Sequence, residues 1–320
     1  MQAPLISICI PAYKRVNYLK RLLDSIAQQK FRDFEVIITD DSDDTSVEDL
    51  SQLYKEKFTL LYHKNMSTLG TPANWNAGVS LAKGEWIKLI HDDDWFVDEN
   101  SLSKFASVTD SSVKFIFSAY QNIYESVLSP KKIGISSEWK NRIASNPETI
   151  FALNVIGPPS VTLIHKSITL EYDERLKWRV DQEFYIRLLK MDNNFIYIPE
   201  TLINIGISSS QVTQRTMYNP TVELPEGLIM LQEHGILSLK NIRIYDTWWR
   251  LFRNMGIVTE DLLYKYSRKE WPLIILRMMK DLSKVPSGLL KNGVISKTFM
   301  TLSFLKNRSL ADENYNNKSL

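Results

Sequence analysis

"IKLIHDDDWF", residues 87–96, sets Asp92, Asp93 and Asp94 side by side directly after an apolar run. Ile87, Leu89 and Ile90 read as buried strand, and Trp95 and Phe96 close the stretch. Two unit charges about 4 Å apart repel by about 4 kcal/mol at an effective dielectric near 20. A solvated loop would screen that cost, but the apolar flanks argue for a sheltered position. A positive partner is therefore expected beside the triplet. In an extended strand alternate residues share a face, so Asp92 and Asp94 are expected to point one way and Asp93 the other.

Working outward, short apolar runs alternate with helical patterns. "LISICI" (5–10) reads as a strand ended by Pro11, and Leu19, Leu22, Leu23 and Ile26 give a helix one apolar face. "FEVIIT" (34–39), "FTLLYH" (58–63), "EWIKLIH" (85–91) and "VKFIFS" (113–118) are further strands, with a helix over 73–82. This β-α-β-α-β order predicts a mostly parallel, Rossmann-like sheet flanked by helices. Ligands in such sheets bind beyond the carboxyl ends of the strands, where Pro11–Tyr13, Asp40–Asp41 and Asp92–Asp94 all fall. Farther on, 138–156 and 181–191 read as helices, and "SVTLIH" (160–165), "NFIYIP" and "LINIGI" as strands. "NPTVELPEG" (219–227) interrupts the pattern, and from about residue 224 it becomes entirely helical.

Hydrophobic residues make up 44% and charged residues 24% of the 320, an ordinary globular balance. The net charge of +2 hides an asymmetry. Residues 1–239 carry 24 Lys+Arg against 30 Asp+Glu, whereas 240–308 carry 14 against 5. The basic part therefore asks for an anionic partner. The single cysteine, Cys9, allows no internal disulfide, fits a reducing compartment, and reads as a small core residue. No basic segment followed by a long apolar stretch opens the chain and no run approaches the ~20 apolar residues of a membrane span, so a cytoplasmic protein is expected, resting at most on a membrane.

Clustered carboxylates are hard oxygen ligands suited to Mg²⁺ or Mn²⁺, and the lack of nearby His/Cys pairs argues against zinc. A solvated acidic turn, or an Asp capping the next helix, is the plainer reading of a bare triplet. The convergence of three strand-end loops favours the ligand reading. Neither G-x-G-x-x-G after the first strand nor G-x-x-x-x-G-K-[ST] occurs, which removes dinucleotide and P-loop readings.

"ISICIPAYKRVNYLKRLLDSIAQQKFRDFEVIITDDSDD", "LGTPANWNAGVSLAKGEWIKLIHDDDW" and "WRVDQEFYIRLL" together resemble the inverting family 2 nucleotide-sugar glycosyltransferases of GT-A fold, over about the first 200 residues. The resemblance implies a GT-A domain over 1–220, nucleotide-binding to about 118 and acceptor-binding over about 119–220, followed by a helical, basic and aromatic extension over 221–320. It implies that Pro11, Ala12 and Tyr13 pack on the base, that Asp41 accepts a hydrogen bond from it, and that Asn74, Asp92 and Asp93 face the nucleotide. A base with an N3–H donor, uracil or thymine, suits that Asp41 role. Asp94 matches the metal ligand of the family's D-x-D, with Asp92 near the metal or ribose. The family often has Asp where this chain has His91, which reads equally as a strand-end core residue. Asp181 matches the catalytic base, with Glu183 as its substitute, although Asp also caps helices. "GPPSVT" (157–162) would line the acceptor side, and Arg215 in "GISSSQVTQR" would contact the diphosphate.

The function implied is metal-dependent, inverting transfer from a UDP- or dTDP-sugar to a glycan hydroxyl, lipid-linked, in bacterial surface polysaccharide synthesis of the O-antigen or capsule type. A non-catalytic nucleotide-sugar or glycan-binding protein of the same fold is the alternative. A nucleotidyltransferase would need a Gly-rich loop after the first strand, and "PAYKRVNY" has no glycine. Trp248, Trp249, Phe252, Trp271 and Phe299 lie among the basic residues of 240–308. Three readings of that region stand: a membrane surface on the inner face of the cell membrane, a helical subdomain packed on the catalytic core with its charges solvated, or a homodimer interface. Nucleic acid is not expected, because the acidic first part would repel it.

Overall fold

The computed structural model describes residues 3–109, 112–124, 131–207, 216, 218–267 and 270–312. The chain divides into two compact units, one of Met1–Ser145, Val155–Glu174 and Arg187–Ser210, the other of Asn146–Asn154, Arg175–Ile186 and Gln211–Leu320.

The first unit is built on β1 (Ile6–Ala12), β2 (Phe34–Asp40), β3 (Leu60–Lys64), β4 (Trp86–Leu89), β5 (Trp95–Phe96), β6 (Phe115–Tyr124), β7 (Lys131–Ile133), β8 (Thr162–His165) and β9 (Ile196–Ile207). They form one sheet in the order β3-β2-β1-β4-β8-β6-β9-β5, with β7 beside β6. β3, β2, β1 and β4 are mutually parallel, as are β6 and β9. β8 joins the two groups by antiparallel pairing to β4 and β6.

Helices cover both faces, and α2 (Ser46–Gln52) and α4 (Ser101–Ala106) follow β2 and β5 in the chain. From α1 (Val16–Ala27), Leu19, Leu22, Leu23 and Ile26 join Ile6, Ile8, Ile10, Val36 and Ile38 in one apolar core. On the other face, α3 (Ala73–Ser80) sits close enough for the Cys9 thiol to donate to Gly78 O at 3.4 Å. Burial pushes that thiol's pKa up, which suits the core role expected of it.

Two stretches depart from the sequence reading for local reasons. The helix expected over 138–156 stops at α5 (Ser137–Ser145), and Pro147, which has no N–H to continue it, opens a separate 3-10 turn over Pro147–Phe151. The two strands expected around 194–207 are the single strand β9. Its register on β6 jumps from Ile198 opposite Ser118 to Thr201 opposite Ala119. Pro199, which cannot donate to a ladder, sits in that bulge.

The second unit is helical, with helices at Pro220–His234, Ile242–Met255, Glu260–Tyr266, Leu273–Leu282, Ser287–Leu290 and Gly293–Asn307 besides the start of α6 (Val180–Met191). The interruption at 219–227 is itself helical: the Asn219 side chain accepts from Thr221 N and Pro220 takes the first helical position. Trp248, Trp249, Phe252 and Trp271 are all buried. Helical spacing puts Trp248 and Phe252 on one face of Ile242–Met255, where they meet Phe151 and Trp271 with ring centroids 5.2–6.2 Å apart. These aromatics are core, and only Phe299 of the five remains partly exposed. No described helix is long and apolar enough to cross a membrane.

Gly84 tests how tightly the turn into β4 is held. A Cβ there would lie 2.6 Å from Ser7 N, and the Gly84 N–H donates to Ser7 Oγ at 2.8 Å. Gly84→Ala is expected to cost about 1–3 kcal/mol of stability, read as a lower denaturation midpoint in urea.

Candidate active site

The parallel order β2-β1-β4 brings three carboxyl-terminal loops to one edge of the sheet. They are tied to one another: Asp41 N donates to Ala12 O at 3.0 Å, and Lys14 N to Ser42 Oγ at 2.8 Å. The Lys14 ammonium reaches Asp43 at 2.6 Å. Asp92, Asp93 and Asp94 are all buried there.

The positive partner is Arg15, from the loop that follows β1. Its Nε donates to Asp92 Oδ2 at 3.1 Å, Nη2 to Asp92 Oδ1, and Nη1 to Asp93 Oδ2 at 3.0 Å. This fork geometry is what a planar guanidinium supplies and an ammonium does not. A second arginine, Arg21 of α1, stacks 3.5 Å over Trp95 and donates to Asp93 O at 2.7 Å. Neither arginine stands out in the sequence, where Lys14 and Lys20 lie directly beside them.

Beyond β4 the chain turns instead of staying extended, so the triplet does not alternate. Asp92 goes to Arg15. Asp93 and Asp94 join His91, with one ligand atom of each within 4.8 Å of the others. Asp94 Oδ1 accepts from Gly206 N at 3.1 Å, and His91 N donates to Ser160 Oγ at 3.0 Å. A Cβ on Gly206 would collide with Asp93 O, so that position needs a glycine.

Burial dominates the electrostatics. It lifts Asp92 to about 7 against the pull of Arg15, and it raises Asp94 well above the carboxylate range, with Asp93 adding to the rise. It lowers His91 to about 4, so the imidazole is neutral, and its buried Nε2 has no hydrogen-bond partner among the described residues. A neutral imidazole beside two buried carboxylates fits a divalent cation of the Mn²⁺ or Mg²⁺ kind.

Ser160 is held from below. Lys88 in β4, fully buried, donates to Ser160 O and to Thr162 O at 3.1 Å, and burial brings its pKa down to about 7.

The other expected nucleotide contacts have structural partners. Asp41 accepts from Asn65 Nδ2 at 2.7 Å, Leu69 N at 3.1 Å and Gly70 N at 2.8 Å, so its carboxylate organises the loop before α3. Asn74 donates to Thr39 O at 3.1 Å and accepts from Asn65 at 2.9 Å. Asp40 accepts from Ser42 N, Tyr62 Oη and Lys64 Nζ at 2.8–3.1 Å. Pro11 is half-buried, Ala12 is buried, and Tyr13 holds its ring half-exposed. Arg215 lies outside the described residues.

In the second unit, Asp181 lies in the first turn of α6. Its Oδ1 accepts from Gln182 N at 2.8 Å and its Oδ2 from Asn154 Nδ2 at 2.7 Å. Burial raises its pKa to about 6. The approach to α6 is gripped by Glu226, whose carboxylate accepts from Lys177 N, Trp178 N and Arg179 N at 2.7–3.2 Å. Arg179 in turn donates to Glu223 Oε2 at 2.6 Å and Gln182 Oε1 at 2.8 Å. Glu183, the substitute base, is buried 3.7 Å from His234.

This sheet, with acidic residues where β4 ends, is the GT-A fold of nucleotide-sugar glycosyltransferases. Residues 7–169 match the model of Glycosyl transferase family 2, and the chain belongs to that family. An uncharacterized glycosyltransferase of Rickettsia prowazekii is 25% identical over 313 residues, covering 94% of this chain and 85% of its own. The structure of S. aureus TarS residues 1–349 in complex with UDP superposes with a TM-score of 0.61 at 16% identity, over 98% of this chain and 91% of that one. The mannosyltransferase PcManGT of Pyrobaculum calidifontis, in complex with GDP-Man and Mn²⁺, gives 0.53 at 11% identity, over 98% and 87%. The chain is a glycosyltransferase.

Arg15→Ala would leave Asp92 and Asp93 buried without their cation. Breaking a fully buried pair costs about 3–5 kcal/mol. The Arg15 side chain is 38% exposed, and solvent screening brings the expected loss to about 1–3 kcal/mol, measured by urea denaturation.

Proposed function

We propose that the protein moves a sugar from a UDP- or dTDP-linked donor to a hydroxyl of a lipid-linked glycan, with inversion and with the help of Mn²⁺ or Mg²⁺. The setting we assign is bacterial surface polysaccharide synthesis of the O-antigen or capsule type, at the inner face of the cell membrane. The observation that carries the donor half of this reading is the group His91, Asp93 and Asp94, ligand atoms within 4.8 Å, beyond the carboxyl end of β4. The structures solved with UDP and with GDP-Man and Mn²⁺ support a nucleoside diphosphate there.

In this proposal His91, Asp93 and Asp94 hold the cation, which would supply charge neutralisation of the nucleoside diphosphate as it leaves. Asp92, oriented by Arg15, is retained among the nucleotide contacts. The half-exposed Tyr13 ring offers a stacking surface for the base, and Pro11 and Ala12 shape the floor beneath it. Asp41 and Asn74 act by holding the surrounding loop, and Asp41 keeps a lone pair that suits the N3–H of uracil or thymine.

Asp181 is the base we assign. Its carboxylate takes the proton of the acceptor hydroxyl as that oxygen attacks the anomeric carbon. The carbon–oxygen bond to the diphosphate breaks, and the electron pair leaves with the nucleotide. A base near pH 7 works best with a pKa raised toward that value, and burial brings Asp181 to about 6.

Three outcomes follow for experiment. Asp94→Asn is expected to weaken Mn²⁺-dependent UDP binding by at least about tenfold, or about 1.4 kcal/mol, in calorimetry with and without EDTA. Unchanged binding would place the metal elsewhere. Asp181→Asn is expected to leave UDP affinity intact while lowering kcat about 10²–10⁴-fold. Because Asp181 acts only when ionised and its pKa is raised to about 6, kcat/KM should climb as pH rises through 6 and level off above it. A flat profile from pH 5 to pH 7 would remove Asp181 from that role.

A further inference from the structure

The helix Gly293–Asn307 is turned inside out. Its buried side chains are Ser296, Met300, Ser303, Phe304 and Asn307, three of them polar. Trp249 Nε1 donates to Ser296 Oγ at 3.1 Å, and Tyr245 Oη lies 2.8 Å from Ser303 Oγ. Ser303 Oγ and Asn307 Nδ2 both donate to Asp281 Oδ2, at 3.0 and 2.8 Å. Three apolar residues point outward instead: Val294, Leu302 and Leu305 are 79%, 59% and 57% exposed. A surface helix ordinarily buries its apolar stripe, and one that shows it instead marks an interaction surface.

At 3.6 residues per turn, Val294, Thr298, Leu302 and Leu305 fall within one arc of about 80°. Lys297 and Arg308 flank that arc on one side and Lys306 on the other, and all three are exposed. Lys306 reaches Asp281 at 3.1 Å and still stands mostly in solvent. The helix contains no Asp or Glu. An aliphatic stripe between two cationic edges is the pattern of helices that lie in a membrane interface, where long basic side chains reach up to the headgroups.

We propose that this face docks on an anionic lipid surface, with Val294, Leu302 and Leu305 entering the headgroup–acyl boundary and Lys297, Lys306 and Arg308 meeting phospholipid phosphates. This rests on the membrane-associated reading given above and names the surface that achieves it. Charge selects the partner. A two-fold contact with a second copy would set these cations against their own counterparts, within a region of 14 basic and 5 acidic residues. A nucleic acid would need stacking platforms, and the centre of the stripe is aliphatic.

The test uses the full chain, sedimented with phosphatidylcholine vesicles that contain or lack phosphatidylglycerol. Binding is expected only with phosphatidylglycerol, and added salt should weaken it. The double variant Leu302→Glu/Leu305→Glu should lose at least tenfold in vesicle affinity while keeping its circular dichroism and UDP binding. Lys297→Glu/Lys306→Glu should do the same through charge alone. Absence of wild-type binding at low salt, or equal binding to phosphatidylcholine alone, would overturn the proposal. So would a dimer in sedimentation velocity that the leucine variant dissociates. Vesicle binding without UDP binding would support the docking and count against the donor reading instead.

Discussion

Three carboxylates held out of water at the end of β4 form the constraint around which the first unit is arranged. Two parts of the chain compensate them: Arg15 donates to Asp92 and to Asp93, and the Gly206 N–H donates to Asp94. Those partners come from the loop after β1 and from β9, so the sheet must bring both strand ends to the same place. The antiparallel strand β8 inserts between β4 and β6 and brings Ser160 up beside His91. Buried Lys88 then fixes that segment by donating to two of its carbonyls. Among the described residues the compensation is incomplete, since His91 Nε2 has no partner and burial lifts Asp94. What a cation would neutralise is thus left over after the protein's own groups have been used.

The second unit solves a related problem with the opposite sign. The segment leading into α6 carries backbone N–H groups that need acceptors. Glu226, projecting from the helix Pro220–His234, receives three consecutive ones, while Glu223 holds Arg179 beside them. A carboxylate at a helix N-terminus also meets the positive end of its dipole. The arrangement fixes the segment that carries Asp181, and Asn154 and Gln182 N settle the orientation of its carboxyl. The stretch 219–227, which breaks the helical pattern when read linearly, is thereby the support of the segment that carries Asp181.

The same unit shows why amphipathicity alone does not say which face is inside. Ile242–Met255 buries its aromatic face in the usual way. Gly293–Asn307 buries serines and an asparagine because Trp249, Tyr245 and Asp281 offer them hydrogen bonds, and its leucines are left outward. A fully satisfied polar seam can hold a helix as well as an apolar one, and it specifies the orientation more narrowly.

Much of this was legible in the residues alone. The alternation of short apolar runs with helical spacing encodes the β-α order, because both periodicities act within a few residues. The acidic triplet after a buried strand announced a strand-end site needing positive charge, and the motifs around it pointed to the family. Tertiary structure alone decided which cation answered: Arg15 is 77 residues from Asp92, and no local pattern distinguishes it from other basic residues near it. It also decided that the chain turns at Asp92–Asp93, which moves Asp93 to the side of His91 and Asp94. It buried Trp248, Trp249 and Trp271 in a core and faced Leu302 and Leu305 outward. Periodicity states that a helix has two faces. Only the residues that meet it across space determine which of them is buried.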